Sequence, residues 1–370
     1  MGQPWSASRT VWALAVALAL LGAPGIAGAQ VTPAASAAPA GDAPSVRVGG
    51  TIFLDYTTTL DPKVTDADGN RVSQSAFHVA RAYVNVTGQV NHIFAFRITP
   101  DIVRETGTGT SLTGSLDVRL KYGYLQVNMD DWLPRGTYAR VGMIPTPWVD
   151  YEDGIYRYRF QGPTFTDREG FQPSSDFGVA FRTALPNDYG EVVAGLYNGE
   201  GYNRADPNNQ KALRIRGTVR PVPAPGLWRG LRLSAYVDRD HYVQDAARHR
   251  FVTGATYEHQ RINAAAVYVK LQDQTSIRVD EIDGDGFSLW ATPKFPHGFE
   301  ALLRYDRHNP DARDDSRKER VITGIAWWPA MPSASVTTAF LLDVEQVTYT
   351  DFMPARPTEK RVAVHMLVNF

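Results

Sequence analysis

The stretch that decides the fold is Lys360-Arg361-Val362-Ala363-Val364-His365-Met366-Leu367-Val368-Asn369-Phe370. Apolar and polar residues alternate along it, so every second side chain from Val362 to Phe370 projects to one side of a strand. A soluble protein normally hides such a face. An alternating strand that closes on an aromatic residue is typical of a membrane β-barrel, where the apolar face meets lipid. An ordinary amphipathic strand is the alternative interpretation of this segment.

The other end of the chain predicts export. Arg9 precedes an apolar run over residues 11–21, and Ala27-Gly28-Ala29 is a small-residue cleavage site, so we interpret 1–29 as a signal peptide. No later segment approaches the ~20 consecutive apolar residues that a membrane helix needs. Residues 30–45 are rich in Pro and Ala without periodicity and predict a disordered leader. We therefore expect residues 46–370 to form a barrel in the outer membrane of a Gram-negative-type bacterium, with Phe370 as a barrel-assembly signal.

Composition excludes several functions. The formal net charge of −1 lacks the basic excess of a nucleic-acid-binding protein, and the absence of cysteine excludes disulfides. The eight histidines show no HExxH spacing, and neither a GxSxG elbow nor a glycine-rich phosphate loop occurs. The acidic segments 66–70 and 281–286 lack the glutamate that a calcium loop carries at its twelfth position. We predict no enzymatic activity, cofactor or metal site, although a hydrolase with dispersed residues on the barrel wall is an alternative.

Sixteen alternating segments follow residue 45 and predict an all-β fold, a transmembrane antiparallel β-barrel with 16 strands; 14 and 18 strands are alternatives. The predicted strands are 46–58, 75–89, 91–101, 115–129, 136–144, 175–184, 189–198, 211–221, 230–243, 249–258, 261–273, 284–294, 297–308, 318–328, 334–347 and 359–370. Every second link is short, which fits the two unlike rims of such a barrel. The longer, polar links are 59–74, 102–114, 145–174, 199–210, 272–283, 309–317 and 348–358.

Aromatic residues near the strand ends are interpreted as interfacial girdles, with core filling as the alternative. They are Trp132, Tyr138, Trp228, Trp290, Trp327 and Trp328.

The polar strand faces predict a charged lumen. Lys and Arg outnumber Asp and Glu within the predicted strands, and basic rings on a pore wall favour anions. The clearest cluster places Arg214, Arg216 and Arg220 on one face of strand 211–221. The complete predicted anion path is Arg81, Arg97, Arg119, Lys121, Arg140, Arg182, Arg214, Arg216, Arg220 and Arg304. As an alternative, these arginines pair across strands with Asp55, Asp117, Asp238 or Glu300 and only hold the lumen together.

The link 145–174 is the longest and is dense in aromatic residues, which argues against disorder. As the third long loop, it is predicted to bend into the lumen and form the constriction. Packing on the outer rim or against neighbouring subunits is the alternative. Its candidate constriction residues are Asp150, Glu152, Asp153, Arg157, Arg159, Asp167, Arg168 and Glu169.

The chain resembles the phosphate-selective porin O and P family over nearly all of residues 46–370. The motifs that carry the resemblance are Phe94-Ala95-Phe96-Arg97-Ile98-Thr99-Pro100-Asp101, Asp167-Arg168-Glu169, Ser175-Asp176-Phe177-Gly178-Val179 and Gly195-Leu196-Tyr197-Asn198-Gly199-Glu200-Gly201. The resemblance implies a homotrimeric porin, surrounded by outer-membrane lipid and lipopolysaccharide, with a folded third loop and an arginine-lined path for small anionic solutes.

The family's founding members also carry a central lysine cluster. Here the candidate lumen lysines are few, namely Lys121, Lys211, Lys270 and Lys294. The predicted function is passive, anion-biased diffusion of small solutes such as phosphate. The alternatives are a general or organic-anion porin without phosphate specificity, and a barrel with a hydrolase or structural role.

Overall fold

Sixteen antiparallel strands close into one barrel in chain order, and the seam joins β1 to β16. The computed structural model describes residues 42–105, 107, 111, 113–333 and 335–370. The predicted signal peptide and residues 30–41 of the predicted leader lie outside the described residues. The strands are β1 (Ser45–Thr65), β2 (Arg71–Gln89), β3 (Phe94–Arg104), β4 (Leu116–Asn128), β5 (Tyr138–Pro145), β6 (Ser175–Leu185), β7 (Gly190–Tyr197), β8 (Ala212–Val219), β9 (Leu231–Val243), β10 (Ala246–His259), β11 (Ile262–Asp273), β12 (Ile282–Pro293), β13 (Phe299–Asn309), β14 (Arg317–Trp327), β15 (Thr337–Thr350) and β16 (Glu359–Asn369).

The predicted fold class and strand count are confirmed, since each predicted segment overlaps one strand. The first long link is the exception. Residues 59–74 were predicted as a polar loop, but β1 continues to Thr65 and β2 starts at Arg71. The threonines at 57–59 are β-branched and favour a strand, and the Asp66 side chain closes the turn by accepting the Asn70 N–H at 2.8 Å.

The barrel closes at a tight seam. Phe370 donates its N–H to the carbonyl of Gly50 at 3.0 Å and accepts the Gly50 N–H at 2.9 Å. A Cβ atom at Gly50 would lie 2.6 Å from Cζ of the Phe370 ring, so glycine leaves the space that this ring fills. On β16, Val364 is exposed while Ala363 and Leu367 are buried, which confirms the predicted apolar outer face.

The two faces of the wall have opposite polarity. On β8, Leu213, Ile215 and Val219 are exposed, whereas the alternate residues Arg214, Arg216 and Thr218 are buried. This arrangement, apolar outside and polar inside, is the reverse of a soluble protein and suits a lipid environment. Among the helices in the described part of the chain, none is long and apolar enough to cross a bilayer.

The third loop, residues 146–174, folds into the lumen as predicted, and it contains two helices that the sequence reading missed. They are α1 (Pro147–Tyr156) and α2 (Phe165–Arg168); three short 3₁₀ helices lie in other links, at Pro186–Asp188, Leu227–Gly230 and Pro296–Gly298. Proline at the first position of α1 is a favourable helix start. The aromatic residues of the loop form a buried core with the inner wall: Trp148, Tyr156, Tyr158, Phe160, Phe165 and Phe171 contact wall residues that include Phe53, Tyr236, Leu302 and Ile322.

Two predicted girdle residues belong to this core instead. Trp290 is buried, and its indole N–H donates to Glu152 at 3.1 Å. Trp328 donates to the Tyr158 hydroxyl at 3.2 Å. Tyr138 also faces the lumen, where its ring lies under the guanidinium of Arg140. The third loop supplies the partners of Trp290 and Trp328, whereas the partner of Tyr138 is an arginine of the wall.

Candidate functional site: the passage beside the third loop

Ion pairs fix the third loop to one side of the lumen. Arg157 donates to Glu300 at 3.1 Å, and the Tyr158 hydroxyl donates to the same carboxylate at 2.8 Å. Arg168 pairs with Glu345 at 3.0 Å, and Glu169 accepts from Arg320 and from Lys318. All four wall partners lie on β13–β15. Because the loop is held against this side, the free volume lies towards β1–β8.

Glu152 makes an unusual anchor between α1 and β12. The indole N–H groups of Trp148 and Trp290 each donate to one of its oxygens at 3.1 Å. No cation pairs with it among the described residues, and its side chain is fully buried. Burial raises the pKa of Glu152 to about 7. The anchor therefore titrates near neutral pH.

Three cavities lie between the third loop and the β1–β8 wall. A cavity of about 40 Å³ separates Lys121, Arg97 and Phe53 from the loop residues Asp153 and Arg159. A second, of about 190 Å³, lies between β5–β8 and the start of α1. The third, of about 780 Å³, includes residues of the short links, such as Pro134 and Asn187, and forms a vestibule at that end of the barrel.

Seven basic side chains line this side of the lumen, and we name them the basic ladder: Arg81, Arg97, Arg119, Lys121, Arg140, Arg182 and Arg216. Four of them share two carboxylates. Arg81 and Arg119 donate to Asp101 at 2.6 and 3.0 Å, and Arg182 and Arg216 both donate to Glu191. Within the described chain, no carboxylate lies within 4 Å of Arg97, Lys121 or Arg140. These three residues, on successive strands, carry uncompensated positive charge.

Tyrosine rings hold the three uncompensated cations in place. Arg97 lies 4.4 Å from the centroid of Tyr122, and the Lys121 ammonium lies 5.1 Å from that of Tyr83. Arg140 lies over Tyr138 at 4.3 Å and near Tyr124 at 4.9 Å. A ring face attracts a cation without neutralising it. The cations are thereby ordered and keep their charge for an anion in the passage.

The face of the third loop opposite the ladder is mildly acidic. Arg159 is held between Asp153 at 3.4 Å and Asp167 at 2.8 Å, so one cation meets two carboxylates. Asp150 is exposed on α1 and lines both larger cavities. Basic groups of the wall and acidic groups of the loop therefore line the same cavities.

The remaining members of the predicted anion path lie in different settings. Arg214 is 1% exposed and donates to Asp176 at 2.9 Å and Asp238 at 3.0 Å. Arg220 pairs with Asp188 at the vestibule. Arg304, under the third loop, donates to Asp306 and to the carbonyl of Pro163. Of the three arginines predicted together on β8, only Arg216 belongs to the basic ladder.

The four candidate lysines also lie in different surroundings. Lys211 pairs with Asp206 at 2.7 Å, Lys270 is exposed on the outer face, and Lys294 donates to Asn263 at 2.9 Å. Only Lys121 lies on the ladder. Among the described residues, no group of three or more His, Cys, Asp or Glu side chains is arranged to hold a metal ion.

The tyrosines were missed at the sequence level, although a signal was present. Tyr138 and Arg140 are two residues apart on one strand, and Tyr122 and Tyr124 share that spacing on the next. Period-two spacing places such pairs on one face. Tyr202 carried no such signal: it reaches the ladder from the β7–β8 link, where its hydroxyl accepts from Arg119 at 2.9 Å.

Comparison with known proteins finds neither a matching family model nor a matching curated sequence. Solved structures do match. The anion-selective porin from Comamonas acidovorans superposes with a TM-score of 0.60 at 13% identity, over 88% of this chain and 100% of that chain. The outer membrane channel DcaP of Acinetobacter baumannii gives 0.59 at 13%, over 89% and 98%. The trimer form of OmpT, an outer membrane protein of Vibrio cholerae, gives 0.57 at 14%, over 89% and 100%. At these identities the similarity establishes the barrel fold.

Proposed function

We propose that this protein is an outer-membrane porin for passive, anion-biased diffusion of small solutes. The observation that carries the proposal is the set Arg97, Lys121 and Arg140: three ordered cations without a carboxylate partner in the described chain, on adjacent strands that line cavities of the lumen. The apolar outer face of the strands supports a location in the outer membrane, as does the fold shared with outer-membrane porins.

The geometry suggests how anions are favoured. A narrow passage with low-dielectric walls focuses the field of its charges, which raises the local concentration of the opposite ion. An anion that enters from the vestibule loses part of its hydration shell, and the N–H groups of Arg140 and Arg97 can replace it. A cation meets three uncompensated positive charges and is disfavoured. The ladder contains several sites in sequence, so an ion bound at one can leave towards the next.

Phosphate is one small anion that such a wall would accept, since forked guanidinium groups suit its oxygens. A general anion porin is the second candidate, because only Lys121 represents the lysine cluster of the phosphate-selective family. We also propose a homotrimer in contact with lipid and lipopolysaccharide. The resemblance implies it, and the Vibrio barrel named above has a trimer form.

The direct test reconstitutes the protein in a planar bilayer and measures the zero-current potential across a potassium chloride gradient. We expect a potential of the anion-selective sign. Block of that current by added phosphate would favour a phosphate-selective porin. Anion selectivity without such block would favour a general anion porin. A cation-selective potential would overturn the proposal, and so would the absence of any current.

A further inference from the structure

The 190 Å³ cavity contains a guanidinium with no partner for its terminal nitrogens. Arg140 is 8% exposed, so more than nine-tenths of it is buried. Its Nε donates to Gln126 at 2.9 Å, and its two terminal nitrogens meet no acceptor at hydrogen-bond distance among the described residues. An arginine fork in this state is ready to bind a carboxylate through two parallel hydrogen bonds. One end of the cavity is therefore specific for an anion.

Apolar and aromatic residues form much of the remaining lining, next to polar residues such as Thr146 and Glu191. Its lining includes the aliphatic residues Ile144, Pro145, Ala180 and Val193 and the tyrosines Tyr138, Tyr151 and Tyr197. An apolar cavity of about 150 Å³ is large enough to hold benzene. The volume of about 190 Å³ accommodates a ring together with one carboxylate group. Such a lining gains free energy from an apolar body and gains none from a hydrated inorganic ion.

The charges around the cavity favour a single negative charge. Arg182 and Arg216 also line it, but both already share Glu191. Asp150 lines the loop side and repels a second negative charge. Arg140 is thus the one cation of this cavity without a carboxylate partner in the described chain. A doubly charged anion such as phosphate gains less here than a monocarboxylate.

We propose that this cavity is a binding subsite for small monocarboxylic acids with an aromatic or branched apolar body, of about the size of benzoate, and that it prefers them to phosphate. The subsite rests on the proposed function, because solutes reach it through the lumen. Arg140 binds the carboxylate, and the apolar body lies against Tyr138 and Ile144.

The first test measures block of the chloride current in planar bilayers by added benzoate, acetate or phosphate. Benzoate should block at the lowest concentration. Arg140→Gln should raise its half-blocking concentration about tenfold or more, as expected for losing hydrogen bonds to a charged group. Arg97→Gln is the matched control: it removes an equally uncompensated arginine from β3, two strands away and outside this cavity. It should reduce anion preference and retain benzoate block. Equal effects of the two variants, or phosphate block as strong as benzoate block, would overturn the proposal.

Two further variants change the cavity without removing Arg140. Ala180→Leu fills it and should weaken benzoate block although Arg140 is retained. Asp150→Asn removes an exposed loop charge and should strengthen phosphate block.

Isothermal calorimetry of benzoate and phosphate with the detergent-solubilised protein separates this inference from the proposed function, since it needs no current. Benzoate binding that is lost in Arg140→Gln supports the subsite even for a barrel that passes no ions; the absence of benzoate binding contradicts it.

Discussion

Arginines of identical appearance in the sequence have different roles in the lumen. Arg97 and Arg214 both occupy inward positions of alternating strands. Arg214 is paired with Asp176 and Asp238, whereas the hydrogen-bond acceptors of Arg97 are the neutral groups of Asn85 and Thr99. The difference depends on which carboxylates the neighbouring strands and links bring close. One of the two carboxylates that pair with Arg214, Asp176, lies 38 positions away in the sequence. The periodicity of the sequence predicts that both side chains face the lumen. It does not predict whether a carboxylate pairs with them.

Glu152 provides a prediction about pH. Its pKa is about 7 against an ordinary value of 4.5, so the folded state binds a proton more readily than the unfolded state does. The contribution of this group to stability is fully present below about pH 4.5 and is lost as the pH rises through about 7. The span corresponds to about 3 kcal/mol.

Glu152→Gln should therefore flatten the change in unfolding temperature between pH 5 and pH 8 relative to the wild type. Thermal unfolding of the detergent-solubilised protein at both pH values measures this change. Asp315→Asn, at an exposed position, is the control and should behave as the wild type. An unchanged pH dependence in Glu152→Gln would contradict the account of the Trp148–Glu152–Trp290 anchor.

At the scale of the element, strands were predictable because period-two alternation is read locally, and the sixteen predicted segments match the sixteen strands. The third loop was predictable in position and direction, since its length and aromatic density required a packing partner. Its internal structure was not. The short helices α1 and α2 pack against the wall, and Glu152 of α1 accepts the Trp290 indole N–H there. Such long-range partners leave no periodic pattern in the sequence.

Removing the third loop should open the lumen. Replacement of residues 148–172 by a short Gly-Ser linker deletes the aromatic core, and a barrel of this strand number is wide enough for a water channel. We expect single-channel conductance to rise severalfold. Single-channel recording in planar bilayers measures it. Conductance equal to that of the wild type would mean that another element closes the passage.

The seam between β1 and β16 depends on the absence of a side chain at Gly50. Gly50→Ala places a Cβ atom 2.6 Å from Cζ of the Phe370 ring, so the ring must leave the position that it occupies at the seam. Gly217→Ala is the matched control, because a Cβ atom there meets no atom within 4 Å. The temperature at which the folded barrel loses its anomalous electrophoretic mobility should fall for Gly50→Ala alone. Equal temperatures for both variants would contradict the described packing of the seam.

At the scale of the whole molecule, the lumen has two unlike sides. The β9–β16 side pairs its charges with those of the third loop, as Glu300 does with Arg157 and Glu345 with Arg168. The β1–β8 side keeps three cations uncompensated next to the cavities. The excess of Lys and Arg within the predicted strands predicts a basic lumen, and this stays a prediction. Which of these basic residues have an acidic partner depends on contacts between strands and the third loop, and the sequence does not show those contacts.

The central claim is that Arg97, Lys121 and Arg140 set the ion preference. Its most direct test compares zero-current potentials in a potassium chloride gradient for the wild type, for the triple variant Arg97→Gln, Lys121→Gln, Arg140→Gln, and for the control Lys63→Gln, Arg71→Gln, Lys270→Gln. The control removes the same charge from exposed positions outside the lumen. We predict that the control keeps the anion-selective potential of the wild type, while the lumen variant shifts strongly towards zero or reverses sign. Equal potentials for all three proteins would contradict the claim.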